Sequence, residues 1–127
     1  MKTFKLKMLK IIVPEQKTYV HNEIPLIDGL IINREDDNNQ WLIEAYIDKE
    51  YLALFNELHE KNAELIVQVK ITKESNDPAL FISSITGVNE VAESSMNVLL
   101  LGTMMDEDHQ SFEKLFTSLQ NQNNEQK

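Results

Sequence analysis

Residues 4–13 alternate between apolar and polar, and the pattern slips by one position partway along. Phe4, Leu6 and Met8 share one phase, with Lys5 and Lys7 between them, and Leu9, Ile11 and Val13 continue in the other. Alternation sets one side of an extended strand against a core, and a one-residue slip is the trace that a β-bulge leaves. One long, bent strand is predicted over residues 3–13, ended by Pro14. A chain that begins this way is committed to a curved sheet.

Related patterns recur downstream. Residues 15–25 are polar apart from Tyr19 and Val20, and read as a loop or a short edge strand, because Pro25 cannot donate to a central ladder. Leu26–Arg34 is β-rich around Asp28-Gly29, a dipeptide that signals a tight turn or a bulge. The clearest turn is Glu35-Asp36-Asp37-Asn38-Asn39. After it comes a strand over 40–47 with Trp41, Ile43, Ala45 and Ile47 on one face, so 30–34 and 40–47 form a hairpin. Asp48 is placed to cap a helix in which Tyr51, Leu52, Phe55, Leu58 and His59 recur at helical spacing, ending near Asn62.

Residues 64–74 alternate again, with Leu65, Val67, Val69 and Ile71 as the apolar set. The turn Ser75-Asn76-Asp77-Pro78 returns the chain into a strand over 79–86. Residues 88–95 read as a mixed connection. The strand over 96–105 does not alternate: the run Leu99-Leu100-Leu101 predicts burial on both faces. Asp106 or Asp108 caps a second helix with the stripe Phe112, Leu115, Phe116 and Leu119, and 121–127 form a frayed polar tail.

These elements give an α+β domain spanning 1–120, built on an antiparallel β-barrel core of about six to seven strands, since closure removes exposed edges. The barrel interior is predicted to contain Phe4, Leu6, Trp41, Ile43, Val67, Val69 and Ile82. Each helix has one apolar stripe and needs a partner surface. The two stripes therefore predict a two-helix pair, with Phe55 and Phe116 buried near each other or against the outer face of 96–105; the rival reading makes the second stripe a docking face for another chain.

Chemistry is harder to find. The chain has no cysteine, which removes disulfides, thiolate nucleophiles and Cys-ligated zinc, and fits a reducing cytoplasm without excluding secretion. The only glycines, Gly29, Gly87 and Gly102, are too far apart for a phosphate-cradling loop or a nucleophile elbow. His21, His59 and His109 lack ligand spacing. Asp106-Glu107-Asp108-His109 reads as helix capping before it reads as a metal site. Asp36-Asp37-Asn38-Asn39 is faintly calcium-like, but Trp41 and Ile47 stand where the EF-hand loop needs glycine and glutamate. Catalytic, cofactor-binding and metal residues are thus all set at none.

The formal net charge is −9 and is unevenly spread. Residues 1–17 hold five lysines against one glutamate, a net of +4, and the remainder holds seven cations against twenty anions, a net of −13. Such a surface repels phosphate backbones, so nucleic acid is not an expected partner. The order of strands and helix does match that of the OB-fold, which would make Tyr46, Trp41 and Phe81 stacking platforms, but Trp41 shares its face with core residues. No apolar run approaches a membrane span or a secretory leader, so membrane insertion is not expected and the chain reads as cytoplasmic.

Several segments together resemble the YwpF-like proteins of Gram-positive bacteria: Met1-Lys2-Thr3-Phe4-Lys5-Leu6, the Asp28-Gly29-Leu30 region, and Trp41-Leu42-Ile43-Glu44-Ala45 running into a Tyr/Leu/Phe helix. The resemblance covers nearly the whole chain and rests on pattern and size. It implies a β-barrel with a helix pair, similar to the Hcp-type barrels of type VI secretion tubes, and it supplies no activity and no functional residue. The leading expectation is a non-enzymatic interaction or assembly module with a protein partner or copies of itself. The alternatives are a barrel that binds a single strand or a small ligand in its mouth, and an enzyme using carboxylates that the sequence cannot single out.

Overall fold

The computed structural model describes residues 1–15 and 18–105. These residues form seven strands: β1 (Lys2–Glu15), β2 (Thr18–Ile24), β3 (Leu26–Asn33), β4 (Gln40–Asp48), β5 (Glu64–Ile71), β6 (Ala79–Glu90) and β7 (Ser95–Met104). A 3₁₀ turn at Lys49–Tyr51 leads into α1 (Leu52–Glu60). All pairings are antiparallel, in the order β2-β1-β3-β4-β7-β6-β5. A further β1–β5 ladder closes β1, β3, β4, β7, β6 and β5 into a six-stranded barrel, with β2 as an additional edge strand on β1.

Three bulges bend the strands. The β1–β5 register jumps between Leu6 and Met8, the β3–β4 register between Leu26 and Asp28, and the β6–β7 register between Ile85 and Gly87. The extra residues, Lys7, Ile27 and Thr86, are all exposed. An inserted residue raises local twist and coil, which a sheet needs in order to close. The phase slip in β1 is thus a bulge, as its pattern predicts. The Asp28-Gly29 signal marks a bulge and not a turn.

The barrel is filled. Leu9, Ile11, Ile31, Ile43, Val67, Val69, Phe81, Val98 and Leu100 are fully inaccessible and belong to one apolar cluster. Asp48 caps the 3₁₀ turn by accepting from the Glu50 N–H at 2.8 Å. The following helix places Phe55 and Leu58 in the barrel cluster, and so plugs the end where β4 finishes and β5 begins. Asn62, at φ 51°, ends the helix in the left-handed region, where asparagine is tolerated.

Several expectations are corrected. Pro14 does not end β1: beyond Ile12 that strand is paired only to β2, and a proline fits a strand with one free edge. Residues 88–90 continue β6, so only a short turn separates it from β7. β7 alternates in burial, with Leu100 inside and Leu99 and Leu101 partly buried outside. Ile82 faces outward and Phe81 takes the interior place predicted for it. The described residues are mostly β with one short helix and do not contain a helix pair, so α+β overstates the helical share. The second stripe, Phe112, Leu115, Phe116 and Leu119, with its caps Asp106 and Asp108 and the tail 121–127, lies outside the described residues.

Candidate functional site

Most residues with chemical potential are occupied by local structure. The Asp36 carboxylate accepts from the backbone N–H groups of Asn38 at 3.2 Å and Gln40 at 3.1 Å, and lies 3.5 Å from Arg34 Nε. That is turn chemistry, with the oxygens turned onto the hairpin itself. His59 is partly buried on the last turn of α1, while His109 and Asp106–Asp108 lie outside the described residues. Among the described residues no three His, Cys, Asp or Glu side chains converge as metal ligands do. Lys2, Lys5 and Lys7 are all exposed on β1, and Lys5 sits 3.6 Å from Asp28. The three aromatic residues of the stacking reading are split: Trp41 and Phe81 face inward and Tyr46 outward.

The mouth opposite α1 is rimmed by partly buried Phe4, Trp41, Ile71, Ala79 and Met104. Trp41 stacks on Phe4, with ring centroids 6.3 Å apart. Just inside lies Ser83, in register with Gly102 and, through it, with Trp41. Ser83 is 3% accessible and its hydroxyl has no hydrogen-bond partner.

A second surface is formed by the outer faces of β3, β4 and β7. Register aligns Ile32, Leu42 and Leu101 in one row, and Leu30, Glu44 and Leu99 in the next. The five apolar members are partly buried, and none belongs to either packed apolar cluster. The third row is polar: Asp28, Tyr46, Asn97 and, on β6, Asn89, which donates to Asn97 Oδ1 at 3.0 Å. The Tyr46 phenol is held above its ordinary value, first by its hydrogen bond to Glu44 and then by the charge of that carboxylate. The result is an apolar strip with one carboxylate at its centre and hydrogen-bonding side chains along one border. Alternation in β4 marks Leu42 as outward-facing in the sequence, but the leucine run of β7 hides its partners Leu99 and Leu101.

No helix among the described residues is long and apolar enough to cross a membrane. Over 119 residues the chain is 42% identical to an uncharacterized protein, YwpF, of Bacillus subtilis (strain 168), covering 94% of this chain and 87% of that protein. It superposes on the crystal structure of a hypothetical protein from Staphylococcus aureus with a TM-score of 0.72 and 33% identity, covering 84% of this chain and 71% of the other. The family model for YwpF-like proteins matches residues 2–126, and the chain belongs to that family.

Proposed function

We propose that this protein is a non-enzymatic, cytoplasmic interaction module whose docking surface is the outer face of β3, β4 and β7. One observation carries the reading: Leu30, Ile32, Leu42, Leu99 and Leu101 lie together on a face that serves neither packed cluster. Grouped apolar side chains on a sheet exterior are a feature of interaction surfaces. Glu44 at the centre sets the partner's chemistry: an apolar strip carrying a lysine or arginine, since burying an unpaired carboxylate is costly. Copies of this chain are a second occupant of the same surface. If the barrel is Hcp-like, as the family resemblance implies, a tube-like assembly is one form of that.

The test compares wild type with Leu42→Glu. Proteins retained from native lysate are identified and purified, their affinities measured, and self-association followed by light scattering. Leu42→Glu should weaken binding at least tenfold, about 1.4 kcal/mol, while Glu57→Lys on α1 leaves it unchanged. Equal binding by wild type and Leu42→Glu would remove this face from consideration.

A second reading has its own observation. The orphaned Ser83 hydroxyl under the Phe4–Trp41 rim supports a small ligand with an apolar body and one polar atom, entering at the mouth. Trp41 is the only tryptophan. Saturable, Ser83-dependent changes in its fluorescence would favour this reading over the first.

A further inference from the structure

The barrel has an outer face that is buried, and no described element lies over it. Ile12 on β1, Ile66 on β5 and Leu80 on β6 form an apolar cluster separate from the barrel interior, with Ile82 and Met105 packed against it. Ile12 pairs with Ile66, and Ile66 with Ile82, so the patch crosses three adjacent strands. Ile12 and Ile66 are 0% accessible and Leu80 is 3% accessible. Side chains on the outside of a sheet reach such values only beneath a covering layer. α1 is not that layer: no residue of α1 belongs to this cluster, and Phe55 and Leu58 are committed to the barrel core.

We infer that this face is the seat of the chain's own C-terminal segment, with Phe112, Leu115, Phe116 and Leu119 laid across β6, β5 and β1. Two observations choose this occupant. The chain leaves the described residues on the patch itself: Met105 packs against the cluster, and its backbone N–H donates to the Leu80 carbonyl at 2.8 Å. The residues that follow carry an apolar stripe at helical spacing with no other assigned surface. The lengths agree as well. At about 1.5 Å per residue, a helix started at 106 sets positions 112–119 roughly 10–20 Å from the exit. Three strands about 4.8 Å apart span roughly 10 Å between the outer two. The segment therefore pairs with the barrel and not with α1.

The absence of native cysteine gives a clean test in the full-length chain. Thr103 is exposed and in register with Ile82, so Thr103→Cys places a thiol beside the patch without opening it. Combined with Leu115→Cys or Leu119→Cys, it should form an intramolecular disulfide at least about tenfold faster than with Lys114→Cys on the opposite side of the stripe, as proximity requires. An Ile82→Cys series repeats the comparison from within the patch. Faster closure between Asn56→Cys on α1 and Leu115→Cys would overturn the proposal in favour of a helix pair. Predominantly intermolecular disulfides would overturn it in favour of a second copy, and equal rates for Leu115→Cys and Lys114→Cys would show that the stripe has no seat on this face.

Discussion

Trp41 and Phe81 stand on β4 and β6, strands that do not pair with each other, yet their rings meet edge to face with centroids 5.6 Å apart. β7 runs between them, and its residue in register with Trp41 is Gly102. A Cβ at Gly102 would lie 2.6 Å from Ser83 Cβ and 2.8 Å from the Ile82 carbonyl oxygen. Gly102→Ala is therefore expected to cost about 1–3 kcal/mol through overpacking. Denaturant unfolding followed by Trp41 fluorescence measures it, and an unchanged midpoint would mean that the backbone yields without cost.

Ser83 leads to the opposite expectation. Its hydroxyl is buried and unpartnered, so its desolvation is uncompensated. Ser83→Ala removes that penalty along with one small atom, and should leave stability unchanged or raise it by up to about 1–3 kcal/mol. Thermal unfolding of the variant decides this. A loss above about 1 kcal/mol would reveal a hydrogen bond to the hydroxyl.

Glu44 and Tyr46 are neighbours on the outer face of β4, and the carboxylate holds the phenol above its ordinary value near 10. The unfolded chain therefore loses this proton at lower pH than the folded chain does. With fewer protons bound in the unfolded state, the contribution is fully present at neutral pH and is lost as pH rises beyond about 10. Glu44→Gln should bring the phenol back toward its ordinary value. Spectrophotometric titration would show one of the three tyrosines ionising earlier, and identical curves would contradict the coupling.

Thr72 has φ 73°, a conformation strained for a β-branched residue, at the point where its N–H donates to the Lys5 carbonyl at 2.8 Å. Thr72→Gly keeps the donor and relieves a strain of roughly 1–2 kcal/mol, offset by about 0.5–1 kcal/mol of chain entropy. A small rise in melting temperature is expected. Thr72→Pro removes the donor and should lower it. Reversed signs in the two variants would contradict the strain.

The barrel was legible where polarity tracked facing. In β4, Trp41, Ile43, Ala45 and Ile47 face inward as their alternation implies, and the phase slip in β1 reports a real bulge, which lies at Lys7, one residue before Met8. Legibility failed where polarity and facing part. Ser83 is polar but interior, so parity counted from it sets Phe81 outside and Ile82 inside, the reverse of what is found. Leu99 and Leu101 are apolar but lie outside, which made β7 look two-sided. The buried outer patch left a trace in Ile12 and Ile66, each breaking an alternation by standing beside interior neighbours. What the trace lacks is register: pairing alone brings those two residues side by side.

The last described strand, β7, does not take an edge but slots between β4 and β6. On the ribosome this has a temporal cost. Until Ser95–Met104 emerge, β4 and β6 each hold a row of unsatisfied backbone groups, the kind of template on which chains misassemble. At about 5–20 residues per second, β4 waits roughly 3–11 s for its second neighbour. The emerging chain is thus most vulnerable to aggregation late in its synthesis, when nearly all of its apolar surface has been made and the strand that joins its two halves has not.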